Sequence, residues 1–399
     1  MSQVTPVPAY ILGMSPNGLS MVQCLGHHGI PCVALDAVAS NPSLRSRYCR
    51  PVVMPPLKEQ PGAWLDFLMK EPARKGISGV LLPAGDEAAL FVSRNRQRLG
   101  ERYRFVQPDA ELMEAFPNKK LWHELAESAG MPLPQTLFPK SVEEIRANAD
   151  KLRYPVAIKP VYSHFWSQHP GNPYRAEKLC AAENLEEAIR YWEEMDRIGL
   201  EVMLTELIPG GPESLYGVVT YIDRKGTVQG SIVVHKLRQT PADYGVASVM
   251  ISVEEPEARE LAINFLKKIN YRGIGHIEMK RDERDGKFCL IETNARHILF
   301  GSLLVAAGYE LPLIAYKDAL EQELNVSDKY RAGVRWIQFE GDYGTYRVYK
   351  KRGWITRWQW IRSLLPGRKA FAYFDWRDPM PFWVAFRRFV WRWRHGRLD

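Results

Sequence analysis

Residues 273–296 read GIGHIEMKRDERDGKFCLIETNAR, two apolar segments that each end in charged or amide side chains. On an extended strand successive side chains alternate between faces, so residues i, i+2 and i+4 share one. Glu292, Asn294 and Arg296 in LIETNAR therefore share a strand face, and Glu278 in GHIEMKRD, fourteen residues before Glu292, arrives from a paired strand. Two carboxylates and an amide offer hard oxygen ligands to a cation, and an arginine beyond them faces a developing anion. That pattern fits a Mg²⁺-phosphate site, and its alternative at this spacing is a solvated strand face. Phosphoryl transfer also needs cations along the triphosphate. Lys119 in PNKKLWHELAESAG and Lys159 in YPVAIKP each stand at the edge of a regular element, where an ammonium can reach a phosphate, although a single lysine is more often a surface residue.

Upstream, AYILG at 9–13, the turn-rich Ser15-Pro16-Asn17-Gly18, a helical LSMVQCLGHHG and PCVALD form a strand–helix–strand unit. GVLLPAG at 79–85 followed by a helical DEAALFVSRNRQRLG extends it to a small doubly wound α/β domain with a parallel sheet over residues 1–110. Gly13 and Gly18 lack the G-x-G-x-x-G spacing, which favours tight-turn glycines over a dinucleotide site. Residues 109–130 are mostly helical in pattern up to Gly130, where Pro132 and Pro134 exclude more helix, and a new lobe begins near Asn118. Apolar β-like runs follow at 154–158, 202–208, 215–222, 228–234 and 287–292, with helical stretches at 183–197 and 256–269, an α+β two-lobed pattern.

In this order, the Lys119 helix ending in AGMPLP, Lys159 in VAIKP, TELIPGGPE, HKLRQTP, GHIEMKRD and IETNARHILFGSLLVAAGYELP resemble the ATP-grasp superfamily over roughly residues 1–325. That superfamily includes the D-alanine:D-alanine ligases, biotin carboxylase and the D-aspartate ligase-like carboxylate-amine ligases. The resemblance implies an N-terminal Rossmann-like pre-ATP-grasp domain (1–110), a small lobe (111–200), a large lobe with the Mg-ATP site (201–325) and a C-terminal aromatic-basic extension (326–399). It implies that Lys119 and Lys159 bind ATP phosphates, that Glu206 with the backbone of Leu207 and Ile208 holds adenine, and that Glu213 takes the ribose hydroxyls. Glu278, Glu292 and Asn294 match the Mg²⁺ ligands, with Mn²⁺ as the substitute ion. Arg296 matches an arginine that faces the carboxylate or acyl-phosphate, and Arg238 is assigned to phosphate or substrate. The activity implied is ATP-dependent joining of a small carboxylate, an amino acid or a related acid, to an amine through an acyl-phosphate, with ADP and phosphate released.

The chain departs from the family pattern after Lys159, where VYSHFWSQHPGNPYRAEKLC replaces a glycine-rich lid and Ser163, His164 and Trp166 are candidate phosphate contacts. Ala295 and His297 also stand where Pro and an aromatic are frequent. His235, His276 and His297 are near the expected site, either as structural residues or as acceptors of the amine's proton. The altered lid and the tail described next motivate the rival reading, a membrane-surface-associated binding or scaffold protein with a degenerate nucleotide site.

At 399 residues, 46% hydrophobic and 25% charged, the chain is long enough for two or three domains. Its five cysteines form no C-x-x-C pair, which suits free thiols in a reducing compartment. Its apolar runs are short and its start lacks a secretory pattern, so a cytoplasmic location is expected, either free or peripheral at the inner membrane face. Residues 350–399 hold 13 Lys+Arg against 3 Asp+Glu, so the tail alone carries +10 of a net +8 and residues 1–349 carry −2. No nucleic-acid partner is expected for such a body. The tail also holds seven of the twelve tryptophans. A helix through PFWVAFRRFVWRWR would align Phe382, Phe386, Phe389 and Trp393, with Arg387, Arg388 and Arg394 largely off that stripe. Three readings compete: a packed helical extension, an interfacial helix on anionic lipid, and a surface for nucleic acid or a protein partner. Neither substrate can be named from these residues, because acceptor pockets are built from variable loops, and the oligomeric state is equally open.

Overall fold

The computed structural model describes residues 6–73 and 76–395. Strands β1 (Ala9–Leu12), β2 (Cys32–Asp36), β3 (Cys49–Val53), β4 (Gly79–Pro83) and β5 (Tyr103–Arg104) form a parallel sheet in the order β3-β2-β1-β4-β5. Fully buried strands such as β1 and β4 read as continuous apolar runs because helices cover both faces. This is the Rossmann-like arrangement, with its crevice where the strand order reverses between β1 and β4. Gly13 closes the first turn at φ +98°, and a Cβ on Gly18 would meet the Gly13 carbonyl oxygen at 2.1 Å. Both glycines thus serve a tight turn.

The helical pattern at 109–130 resolves into two helices, Ala110–Ala115 and Lys119–Ser128. Pro117 lies at the break, and the Asn118 side chain accepts from the amides of Lys120 and Leu121 to cap the second helix. A four-stranded antiparallel sheet follows, from β6 (Thr136–Leu137), β7 (Val156–Pro160), β8 (Cys180–Ala182) and β9 (Val202–Glu206), in the order β6-β9-β7-β8. The sequence division near residue 200 put the β9 segment in the large lobe. Its hydrogen bonds to β7 and β6 put it in the small lobe's sheet.

The large sheet contains β10 (Leu215–Ile222), β11 (Val228–Thr240), β12 (Val246–Val253), β13 (Gly273–Arg281) and β14 (Phe288–Asn294), ordered β14-β13-β10-β11-β12. Two short strands, β15 (Arg335–Ile337) and β16 (Lys369–Phe371), extend it beyond β12. The C-terminal extension therefore completes the large sheet. On one sheet face Val218, Val233, Ile277, Met279 and Leu290 pack with Phe265 and Leu266 of helix Pro256–Lys268. Val219, Ile232, Val234 and Met250, on the other face, join a core shared with the N-terminal domain. The two-residue period thus separates a helix-covered face from one that turns toward the N-terminal domain.

Candidate active site

Within the large sheet Glu278 of β13 lies directly opposite Glu292 of β14, and His276 lies opposite Asn294. These side chains project from the face opposite Ile277, Met279 and Leu290 into a cleft of about 220 Å³ that Arg296, Lys236, Lys178 and Tyr216 also line. Asn294 Nδ2 points at Glu278 Oε1 at 3.4 Å, and Arg296 Nη2 donates to Asn294 Oδ1 at 3.1 Å. Arg296 also reaches the N-terminal domain, where Nε and Nη2 donate to the two carboxylate oxygens of Asp86 at 2.7 and 3.0 Å. Asp86 begins the helix Asp86–Arg94, immediately after β4, at the crevice of the parallel sheet.

The small lobe adds cations. Lys159 stands near the end of β7, and the Lys119 amide donates to the Val161 carbonyl at 2.9 Å, which holds the start of its helix beside that strand end. Burial and then the neighbouring Lys119 ammonium push Lys159 down to about 8, with Glu292 acting in the opposite sense. Burial also lowers Lys236, against the pull of Glu278. Its Nζ has the Gly245 carbonyl at 3.5 Å. A cleft that buries the Lys236 ammonium, with the half-buried Lys159 near one of its carboxylates, complements a polyanion.

Arg238, expected at phosphate or substrate, is elsewhere. It is 6% exposed, and its Nε and Nη2 donate to the fully buried Asp342 at 2.6 and 3.1 Å, while Nη1 donates to Ser363 Oγ at 2.7 Å. The β11–β12 register shifts on both sides of Arg238, so the alternation that would set 236 and 238 on one face is broken. Lys236, from the same HKLRQTP segment, is the residue that lines the cleft. Sequence reasoning passed over it because a bulge leaves no signature in this stretch of polar residues.

Glu206 is 5% exposed, forms an ion pair with Arg284 at 2.6 Å and accepts from the Gln135 amide at 3.3 Å. The Leu207 amide donates to Pro155, and the Ile208 carbonyl accepts from Lys280 Nζ at 2.7 Å. Glu213 is exposed on a short 3₁₀ turn, and its carbonyl oxygen is bonded by the His235 imidazole. The segment after Lys159 folds around Trp166, which is 3% exposed and donates to the carbonyls of Tyr174 and Glu177. Trp166 is thereby a packing residue, Lys178 brings the end of the segment to the cleft, and the side chains of Ser163 and His164 lie outside the described ones.

The three histidines differ. His235 stacks on Tyr216 with ring centres 4.5 Å apart. Burial first and then Arg296 push both His276 and His297 to about 3, so each is neutral at pH 7. His297 Nε2 meets Ser20 Oγ at 3.0 Å and ties the large lobe to the N-terminal domain. His276 lines the cleft.

Metal donors converge only in part. Among the described residues no three carboxylate, imidazole or thiolate side chains come together, so the donor set is two carboxylates and the Asn294 amide. Hard oxygens on one strand face beside buried ammonium groups fit a divalent cation that arrives with phosphate oxygens.

No family model matches the chain. In sequence it is similar to the D-aspartate ligase of Enterococcus faecium (strain Aus0004), with 24% identity over 389 residues that cover 87% of this chain and 91% of the relative. In structure it is similar to N5-carboxyaminoimidazole ribonucleotide synthetase from Thermus thermophilus, with a TM-score of 0.60, 16% identity and 81% of each chain covered. It is also similar to L-amino acid ligase from Bacillus licheniformis, with a TM-score of 0.58, 16% identity, and 81% of this chain and 78% of that chain covered. A Rossmann-like N-terminal domain followed by a four-stranded and a seven-stranded sheet gives the chain the ATP-grasp fold. Among proteins of that fold, the chain is similar in sequence to one carboxylate-amine ligase and in fold to another.

Proposed function

We propose that the chain is an ADP-forming ATP-grasp ligase that joins the carboxylate of an amino acid, or of a related small acid, to an amine through an acyl-phosphate. The observation that carries this reading is the pairing of Glu278 with Glu292, with Asn294 on the same face, the buried Lys236 in the same cleft and the half-buried Lys159 within electrostatic reach of Glu292. Two relatives are named as ligases of amino acids, which supports an amino acid as one substrate.

Lys159, Lys119 and Lys236 would hold the phosphates, and Glu206 with the Leu207–Ile208 backbone and Glu213 would hold the nucleoside. Glu278, Glu292 and Asn294 would hold Mg²⁺, or Mn²⁺, which supplies charge neutralisation on the phosphate oxygens when bound. Arg296 orients the substrate carboxylate. A carboxylate oxygen attacks the γ-phosphorus as the bond to the bridging oxygen breaks and ADP leaves; the amine then attacks the acyl carbon and phosphate leaves. Positioning, charge neutralisation and exclusion of water do the catalysis, and no protein nucleophile is required.

A panel of amino acids and amines is screened for release of ADP and phosphate that depends on both substrates. Transfer of ¹⁸O from a labelled carboxylate into the released phosphate is the expected result. Formation of AMP and pyrophosphate would overturn the reading. Glu292→Ala should lower turnover about 10³-fold or more while the unfolding midpoint is kept. Absence of any ATP·Mg²⁺ binding would favour the scaffold reading instead.

A further inference from the structure

Residues 374–394 are docked on their inner side by specific contacts. Asp378 is fully buried and accepts from Gln23 Nε2 at 3.2 Å, Ser46 Oγ at 2.6 Å and the Arg47 amide at 3.0 Å. Helix Met380–Arg394 lays Phe389 against Phe339 and Tyr343 at ring-centre distances of 5.5 and 5.9 Å, and Arg392 pairs with Glu340 at 2.7 Å. Ring contacts run on from Phe389 through Phe386 and Phe382 to Phe374 in one direction, and through Tyr343 to Trp360 in the other.

From this knot the outer rings point into solvent. Trp358 is 74% exposed, Trp376 75%, Trp354 61%, Trp393 57% and Trp383 53%. A tail that served only to complete the core would bury rings of this size. Arginines accompany them: Arg352 lies over Trp354 at 4.8 Å and Arg377 over Trp376 at 5.0 Å, while Arg387 and Arg394 are exposed on the same helix as Trp383 and Trp393.

We propose that this C-terminal surface, residues 354–394, docks on an anionic lipid bilayer. Exposed indoles beside guanidinium groups suit the headgroup layer, where the ring enters the acyl boundary and the cation meets lipid phosphate. The tail's +10 charge selects an anionic partner and disfavours a second copy of the same surface. Among the described residues no helix is long and apolar enough to cross a membrane, so the contact is interfacial.

Full-length protein is sedimented with vesicles of phosphatidylcholine alone or with about one-third phosphatidylglycerol. Binding to the anionic vesicles only, weakened by added salt and accompanied by a blue shift of tryptophan emission, is the expected result. The triple variant Trp358→Ser, Trp383→Ser, Trp393→Ser should lower partitioning about tenfold or more with its unfolding midpoint unchanged, and the separate pair Arg387→Glu, Arg394→Glu should do the same. Protein that stays in the supernatant with anionic vesicles overturns the proposal, as does triple-variant binding equal to wild type. A vesicle-independent dimer that the triple variant dissolves, or tighter binding to single-stranded nucleic acid than to the vesicles, would also overturn it and identify the occupant as a second copy or a polynucleotide.

Discussion

Lys159 should report the arrival of a polyanion. Its ammonium is charged below about 8 in the free protein against an ordinary value of 10.5, and burial is the main cause. Bound phosphates stabilise the ammonium and raise that value, so binding between the two values takes up a proton. ATP affinity should therefore be flat below pH 8 and fall as pH rises above it, with the decline absent in Lys159→Arg; titration calorimetry across this range checks it, and a flat wild-type profile would count against the assignment. The unliganded protein has the same linkage in its stability. The unfolded chain holds the proton more tightly, so a destabilisation present in full below 8 is relieved as pH rises toward 10.5. Arg238 makes the opposite case, a charge devoted to structure. Arg238→Met strands Asp342, which is fully buried, and should cost about 3–5 kcal/mol in urea unfolding. ATP affinity should stay within about twofold, because the buried Arg238 guanidinium is taken up by Asp342 and Ser363. A variant that keeps its stability but loses ATP binding would restore Arg238 to the site.

At the scale of elements, the strands legible in the sequence are those whose apolar runs need no tertiary partner to be seen, such as β1, β2, β4 and β10. Glu278, Glu292 and Asn294 were legible together for a related reason, since the two-residue period alone assigns them a face. Strand β11 looked six residues shorter, because its run VQGSIVV gives way at residue 235 to HKLRQT, whose polar groups are served by the cleft and by Asp342. The stretch 109–130 is mostly helical in pattern, and its division at Pro117 leaves Lys119 at the start of the second helix, the element edge expected for it. Strands β15 and β16 have three residues each, and only pairing with β12 and with each other defines them. The tail's attachment was likewise invisible, because the donors to Asp378 come from residues 23, 46 and 47. Asp378→Ala leaves those donors without their acceptor, at about 1–3 kcal/mol for each one that water cannot reach. The expected outcome is cleavage within residues 354–394 about tenfold faster under limited proteolysis, with cleavage of the two sheets of the catalytic body unchanged. Cleavage at the wild-type rate would mean that the aromatic contacts hold the tail without it.

Across the whole molecule the candidate site is assembled from three bodies. The small lobe brings Lys119, Lys159 and Lys178, the large sheet brings Lys236, Glu278, Glu292 and Asn294, and the N-terminal domain contributes Asp86 at the start of the helix that follows β4. Chain order made Lys119, Lys159, Glu278, Glu292 and Asn294 readable, whereas Lys178 and Lys236 emerged only with the cleft. The third body's contribution was not readable, because Asp86 and Arg296 are 210 residues apart and only the packing of the domain against the large lobe brings them together. Asp86 is 63% exposed at the side chain, so its pair with Arg296 contributes little to stability, about 0–1 kcal/mol. Its effect lies in orientation. Arg296 donates at once to Asp86, to Asn294 and to the His297 carbonyl, which holds the guanidinium at the mouth of the parallel sheet's crevice. If that posture is what presents Arg296 to a carboxylate, Asp86→Ala should lower kcat about 10–100-fold with ATP affinity unchanged and an unfolding midpoint close to wild type. Asp86→Asn, which keeps one acceptor oxygen, should fall between the two. Steady-state kinetics with each substrate varied in turn, beside urea unfolding of the same variants, separates this from a simple docking role, in which stability would drop and the kinetic constants of the surviving folded enzyme would not.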